Sequence, residues 1–302
     1  MSITIPIIKN ITLTVGETRV LRAIISPPNA TNRNVSWRSD NEAVATVERG
    51  VVTHNATRAL VTAKSPGTAT ITARIMDYRI REDNYIVNHE YTDTIEVTVI
   101  PPPKVSIEVG HGGNDPGTTY THNGVLIKES DICLVVGLEL KRQLERHGAE
   151  ILISRETDVD DGAEAFFTGQ EMDDFNPNIG ISIHVNSGGG EGFESYHQTR
   201  ENIMEDSLEL CRTIAEEVGT IPHELRSNGE GRDLRDYKVE NGENILKNIN
   251  GFSGVYSYTE LGFLDNPIDY ARFDTEEKQK KFGTAYAKGI LNFLGITWKS
   301  EN

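Results

Sequence analysis

Over the first hundred residues, apolar and polar side chains alternate with a period of two in short runs. The runs fall at 12–15, 20–25, 35–37, 45–47, 59–63, 68–73 and 94–99. Gly16-Glu17, Pro27-Pro28-Asn29, Ser39-Asp40-Asn41, Gly50 and Pro66-Gly67 separate them. A period of two sends alternate side chains to opposite faces, so the runs read as strands and the punctuation as turns. Short strands without an intervening helix predict a small β-sandwich over residues 1–100. Residues 77–93 exceed the pattern and are expected to form a longer hairpin loop. Trp37 sits in an alternating strand and is expected in the core. Ile100 is followed by Pro101-Pro102-Pro103. Prolines lack an amide donor and favour extended chain, so 101–103 read as a stiff linker that restricts the mutual orientation of its neighbours.

From Lys104 the pattern changes. Apolar strand runs at Val105–Val109, Glu150–Ile153, Ile179–Ile183 and Val255–Thr259 alternate with helical stripes. One stripe holds Ile132, Val135, Val136, Leu140 and Leu144 and ends at Gly148; a second runs from Ile203 to Val218 and ends at Gly219. Asp274 with Glu277 resembles a capping box for a last helix, which turns Phe282, Ala285, Phe293 and Leu294 inward. Strands alternating with helices predict an α/β domain over 104–302, with a mostly parallel sheet flanked by helices. Residues 220–252 are polar and glycine-rich and are expected to form a loop around a groove.

Charge divides at the same boundary. Residues 1–103 hold 11 basic and 10 acidic side chains, about +1, and residues 104–302 hold 19 and 36, about −17, so the net charge of −16 arises in the second domain. A strongly acidic domain does not suit nucleic acid, whose phosphates need clustered cations. Cys133 and Cys211 lie in apolar helical patterns and read as buried free thiols. No stretch is long and apolar enough to insert in a membrane. The N-terminal residues lack a basic region and a small-residue cleavage site, so the reading is no signal peptide, synthesis in the cytoplasm and action elsewhere after release.

The chemistry gathers at strand ends. The first strand of the second domain runs into Gly110-His111-Gly112-Gly113, where glycines leave room beside an imidazole. The run Ile179–Ile183 ends in His184-Val185-Asn186, and Val255–Thr259 ends in Glu260. Glu129 stands just before the first helical stripe. Each has an ordinary explanation alone: a structural histidine, a helix N-terminal carboxylate, a surface acid. On parallel neighbouring strands they converge on one sheet edge. Two imidazoles and a carboxylate are a common ligand set for zinc, and a second carboxylate beside it is the usual general base. Histidines 54, 89, 122, 147, 197 and 223 lie among polar residues and are expected to face solvent, with His122 nearest the first motif. Arg155 is expected to pair with a carboxylate.

Five pieces stand in a fixed order: Gly110-His111-Gly112-Gly113, Lys128-Glu129-Ser130-Asp131, Ser154-Arg155-Glu156-Thr157-Asp158, Ile181-Ser182-Ile183-His184-Val185-Asn186 and Thr259-Glu260-Leu261-Gly262-Phe263-Leu264-Asp265-Asn266. Together they make residues 104–296 resemble the zinc-dependent N-acetylmuramoyl-L-alanine amidases, which cut peptidoglycan between muramic acid and its stem peptide. Two departures stand out: Glu108-Val109 replaces the family's Asp-Pro, and residues 165–174 lack its Arg and Ala-Asn pair. The resemblance implies one zinc per chain on His111, Glu129 and His184, with Glu260 as the catalytic carboxylate. Asn186 would orient substrate or the histidine loop. The turn and strand motifs of residues 1–100 resemble the bacterial immunoglobulin-like domain, a spacer or a module for other wall polymers. Peptidoglycan is the implied substrate. A phage or prophage endolysin released through a holin-type partner is the leading biological reading. The alternatives are a bacterial autolysin, a zinc endopeptidase cutting within the stem, and an inactive surface-binding protein.

Overall fold

Alternation in the first half and strand–helix alternation in the second build two separate units, residues 1–102 and 103–302. A computed structural model of the chain describes every residue except 1, 6–8, 28–29, 31, 54–55, 81–85, 159–166, 168–170, 172–173, 198–201, 222–233, 237–253 and 301–302. His54, His223 and most of the 165–174 and 220–252 segments therefore lie outside the described residues.

The first unit contains β1 (Ser2–Thr4), β2 (Asn10–Thr14), β3 (Thr18–Ser26), β4 (Val35–Ser39), β5 (Ala45–Thr53), β6 (Ala56–Ala63), β7 (Gly67–Ile80) and β8 (Ile86–Ile100). They form two four-stranded sheets, β1-β3-β6-β5 and β2-β8-β7-β4. Leu21, Ala23, Ile71, Ile75, Ile95 and Val97 fill the space between, with Trp37 packed at the margin. The expected loop at 77–93 is corrected. Strand pairing continues to Ile80↔Ile86, because Asp77 to Ile80 and Ile86 to Asp93 extend one antiparallel ladder.

The second unit is built on β9 (Lys104–Val109), the hairpin β10 (Thr119–His122) and β11 (Val125–Lys128), then β12 (Glu150–Ile153), β13 (Ile179–Asn186), β14 (Glu194–His197), β15 (Leu234–Asp236) and β16 (Val255–Phe263). Six of these form a mixed sheet, β12-β9-β13-β16-β14-β15, in which β14 runs antiparallel to β16 and the other pairs are parallel. Helices α1 (Glu129–Arg146) and α2 (Met204–Gly219) lie against the sheet, and α4 (Glu276–Phe293) packs on both. A short turn of helix, α3 (Pro267–Tyr270), follows β16. Gly137 lets α1 approach Val109, and Gly283 and Gly289 let α4 approach the backbones of α1 and α2.

Three local expectations change. β9 is buried on both sides, Ser106 and Glu108 included, although the alternation of Val105, Ile107 and Val109 with polar residues is the pattern of a half-buried strand. Thr275, not Asp274, caps α4: its hydroxyl accepts from the Lys278 amide, while Asp274 pairs with the Lys278 ammonium. Tyr286 and Ile290 take the core positions of α4, and Phe293 and Leu294 are half-buried. Cys133 and Cys211 are buried and unpaired as disulfides. Among the described residues no helix is long and apolar enough to cross a membrane.

Candidate metal centre

Parallel pairing aligns the carboxyl ends of β9, β13 and β16, and that edge carries the chemistry. His184 sits opposite Glu260 in register, and the Gly110 amide donates to the Ile183 carbonyl, which sets His111 beside His184. Glu129 opens α1 from below, where the helix N-terminus favours its charge. One ligand atom from each of His111, Glu129 and His184 lies within 4.8 Å of the other two. His111 Nε2 is 3.3 Å from Glu129 Oε1, and His184 Nδ1 is 3.2 Å from the same oxygen.

Two glycines make space for the site itself. A Cβ at Gly110 would lie 2.6 Å from His184 Cε1, and one at Gly117 would lie 2.5 Å from His111 Cδ2 and 2.7 Å from Glu129 Oε2. His111 itself adopts a positive φ of 59°, a strained backbone held by its neighbours. Arg155 supplies part of that hold. Its buried guanidinium donates to the carbonyls of Gly110 (3.1 Å) and Ser130 (2.7 Å), so its partners are backbone oxygens rather than the expected carboxylate. Ser154 Oγ accepts from Val109 N, and Asp158 accepts from Gly113 N. The Ser154–Asp158 motif thus pins the loop that carries His111.

The outer nitrogen of each imidazole meets a carboxylate. His111 Nδ1 is 2.7 Å from Asp115 Oδ2, and His184 Nε2 is 3.5 Å from Glu108 Oε1. Such partners fix which nitrogen is free to bind a metal. Sequence reasoning assigned no role to Asp115 and noted Glu108 only as a departure. It also missed Glu194, which accepts from Asn186 Nδ2 (3.1 Å) and the Tyr196 hydroxyl (2.7 Å). The Asn186 carbonyl oxygen accepts from Ser187 N, so this amide braces the histidine loop.

The carboxylates and imidazoles of the site shift one another's ionisation. Burial works against ionisation of Glu129, yet hydrogen bonds from His111, His184 and the Val185 amide hold its pKa down to about 2. Burial would also discharge His184, but the carboxylates of Glu108, Glu129 and Glu260 override it and raise its pKa to about 10. Burial, only partly offset by His184, pushes Glu260 up to about 8. Glu260 Oε2 is buried without a hydrogen-bond partner, and Glu108 Oε1 has only the 3.5 Å ion pair with His184 Nε2. Two convergent imidazoles and a carboxylate, ringed by further carboxylates with an orphaned oxygen on Glu260, form a donor set that suits a divalent cation.

The sequence profile of the N-acetylmuramoyl-L-alanine amidases matches residues 105–292, most of this unit. This chain belongs to the N-acetylmuramoyl-L-alanine amidase family. A second profile, the group 2 bacterial Ig-like domain, matches residues 4–75. The sporulation-specific N-acetylmuramoyl-L-alanine amidase of Bacillus subtilis is 39% identical over 99 residues, 31% of this chain and 35% of that protein. The chain therefore spans about a third of that relative's length. The germination-specific amidase of the same organism is 25% identical over 202 residues, 63% of this chain and 79% of that protein. The catalytic domain of CwlV, an amidase from Bacillus (Paenibacillus) polymyxa, superposes with a TM-score of 0.51 at 21% identity, covering 65% of this chain and 99% of its own. That likeness is one of fold.

The remaining histidines divide. His89 is exposed as expected, but His147 and His197 are buried. His147 caps the end of α1: its Nδ1 meets the Gln143 carbonyl, Nε2 accepts from Lys299 N, and the ring stacks on Trp298. His122 is half-buried, with Nε2 2.9 Å from the Leu264 carbonyl and its ring stacked on Tyr270.

Proposed function

We propose that this chain is a zinc-dependent hydrolase that cuts the amide between N-acetylmuramic acid and the L-alanine of the peptidoglycan stem. The convergence of His111, Glu129 and His184 beside a second, high-pKa carboxylate carries this reading. His111 through Nε2, His184 through Nδ1 and Glu129 through Oε1 would hold the zinc, one per chain. When bound, zinc supplies Lewis acidity to the amide carbonyl and lowers the pKa of a water molecule. Asp115 and Glu108 keep the two imidazoles turned inward. Glu260, in register with His184, takes the proton from the attacking water and delivers it to the departing L-alanine nitrogen. That second transfer is required because an amide nitrogen does not leave as an anion. Family membership and the amidase relatives support peptidoglycan as the substrate.

Mass spectrometry of digested peptidoglycan tests this directly. Stem peptides with a free L-alanine amine and glycan strands with free lactyl carboxylates are expected. New amines inside the stem would convert the reading to an endopeptidase, and an unchanged digest would leave only a binding protein.

A further inference from the structure

Five large hydrophobic side chains are exposed among the described residues: Val20, Leu60, Tyr120, Val125 and Leu126. The first two face each other across β3 and β6; the other three lie on one hairpin, β10–β11. This hairpin is tied to the metal centre at its base. Glu129 follows β11 directly, its Oε2 accepts from Thr118 N (2.8 Å), and Thr118 Oγ1 is 2.9 Å from Ser187 Oγ beyond His184. Towards its tip, His122 reaches the Leu264 carbonyl, four residues past Glu260. The ribbon therefore spans the edge of the sheet from the loop after β9 to the turn after β16.

Strand register decides what each face offers. Tyr120, His122 and Val125 share one face, because Val125 pairs with His122; Leu126 pairs with Thr121 on the other. On the first face the rings make a row. Tyr120 is 4.6 Å from His122, and His122 lies flat on Tyr270 at 3.8 Å and 9°. Tyr120 remains 42% exposed at the free end of the row. Residues 116–127 contain no Asp, Glu, Lys or Arg, although the domain around them is strongly acidic.

An open aromatic ring on a ribbon whose residues 119–127 hold no Asp, Glu, Lys or Arg, with Thr119, Thr121 and Lys128 on the opposite face, fits a neutral polymer with apolar CH faces. Aromatic rings combine an apolar face with a polar tip, which suits pyranose rings. On the face that carries Tyr120 and His122 the ribbon offers no Lys or Arg to an anionic peptide. A protein partner is disfavoured because Val125 and Leu126 point to opposite faces, so the exposed apolar side chains form no single patch. We infer that the Tyr120–His122–Tyr270 row is a glycan platform, which seats the sugar strand flanking the muramoyl residue whose amide is cut. The inference rests on the amidase reading for its place in the reaction, but not for its binding test.

The probe is the hexamer of β-1,4-linked N-acetylglucosamine, which carries no peptide and no charge, titrated into the full chain by calorimetry or NMR. The wild type is expected to bind it, Tyr120→Ala to bind about tenfold more weakly, and Tyr120→Phe to retain affinity because the ring face is kept. Leu126→Ala, on the opposite face, is expected to bind as the wild type does. With natural substrates, Tyr120→Ala should lower the ratio of kcat/KM on long glycan strands to kcat/KM on single muramoyl peptides, through KM. No binding by the wild type, equal binding by Tyr120→Ala, or an equal loss in Leu126→Ala would each overturn the platform; the last would indicate an apolar anchor for another macromolecule. A wild type that binds the hexamer yet cuts no muramoyl amide would overturn the amidase reading and leave the platform standing.

Discussion

At the scale of single residues, the site is a contest between burial and charge. His184 keeps a pKa near 10 only because three carboxylates surround it, so the metal-free protein carries a proton there at neutral pH. A metal needs that nitrogen's lone pair, so zinc binding should release protons, and affinity should rise with pH up to about 10. Glu260, at about 8, adds to the release once a cation lies nearby. Calorimetry at pH 7 in buffers of different ionisation enthalpy should give one to two protons released per zinc; none would contradict the assignment. His184→Ala should lose zinc, whereas Glu260→Ala should keep zinc and fold but lose activity by about a hundredfold or more, the scale of a general base. Metal content and turnover of the two variants check the division. His111, Glu129, His184 and Glu260 were legible because each sits in a short local motif at a strand or helix end. Glu108 and Glu194 were not: their roles depend on which strands lie side by side, and pairing of β14 with β16 leaves no local signal.

At the scale of elements, close approach is set by missing side chains. In an exposed helix, replacing glycine by alanine stabilises by up to about 1 kcal/mol. At Gly283 the sign should reverse, because the new Cβ would lie 2.6 Å from the Val136 carbonyl oxygen and 2.8 Å from Glu139 Cβ. Gly283→Ala is expected to cost about 1–3 kcal/mol through overpacking, measured by denaturant unfolding; a stabilised variant would show that α4 does not seat on α1 as described. Periodicity found these helices and most strands, since amphipathic patterns are local. It misread two features for one reason each. Residues 77–93 looked like loop because the run is polar and outlasts the spacing of the other strands, whereas the pairing of β7 with β8 continues past their neighbours in the sheet. Asp274 looked like the cap because Thr275 one residue later offers the same chemistry, and only backbone geometry separates them.

At the scale of the whole molecule, the charge split matters most. Polyanionic wall polymers should repel an acidic catalytic unit, and a nearly neutral N-terminal unit could supply effective concentration instead. Residues 103–302 alone should therefore hydrolyse small muropeptides as the full chain does yet lyse intact cells more slowly, with added salt narrowing the gap because the screening length falls to about 8 Å at physiological strength. Equal lysis across a salt series would reduce the Ig-like unit to a spacer. The division into two units was plain from the proline run and the change of period. What each unit contributes to wall binding was not, since exposed faces are chosen by partners rather than by the core. In the proposed mechanism three side chains hold one zinc while Glu260 stays unligated to move protons. Anomalous diffraction at the zinc edge from crystals of the full chain tests it most directly. One peak is expected at about 2.0–2.2 Å from His111 Nε2, Glu129 Oε1 and His184 Nδ1, with the Glu260 carboxylate outside that distance. A zinc ligated by Glu260, or bound without either histidine, would contradict the account.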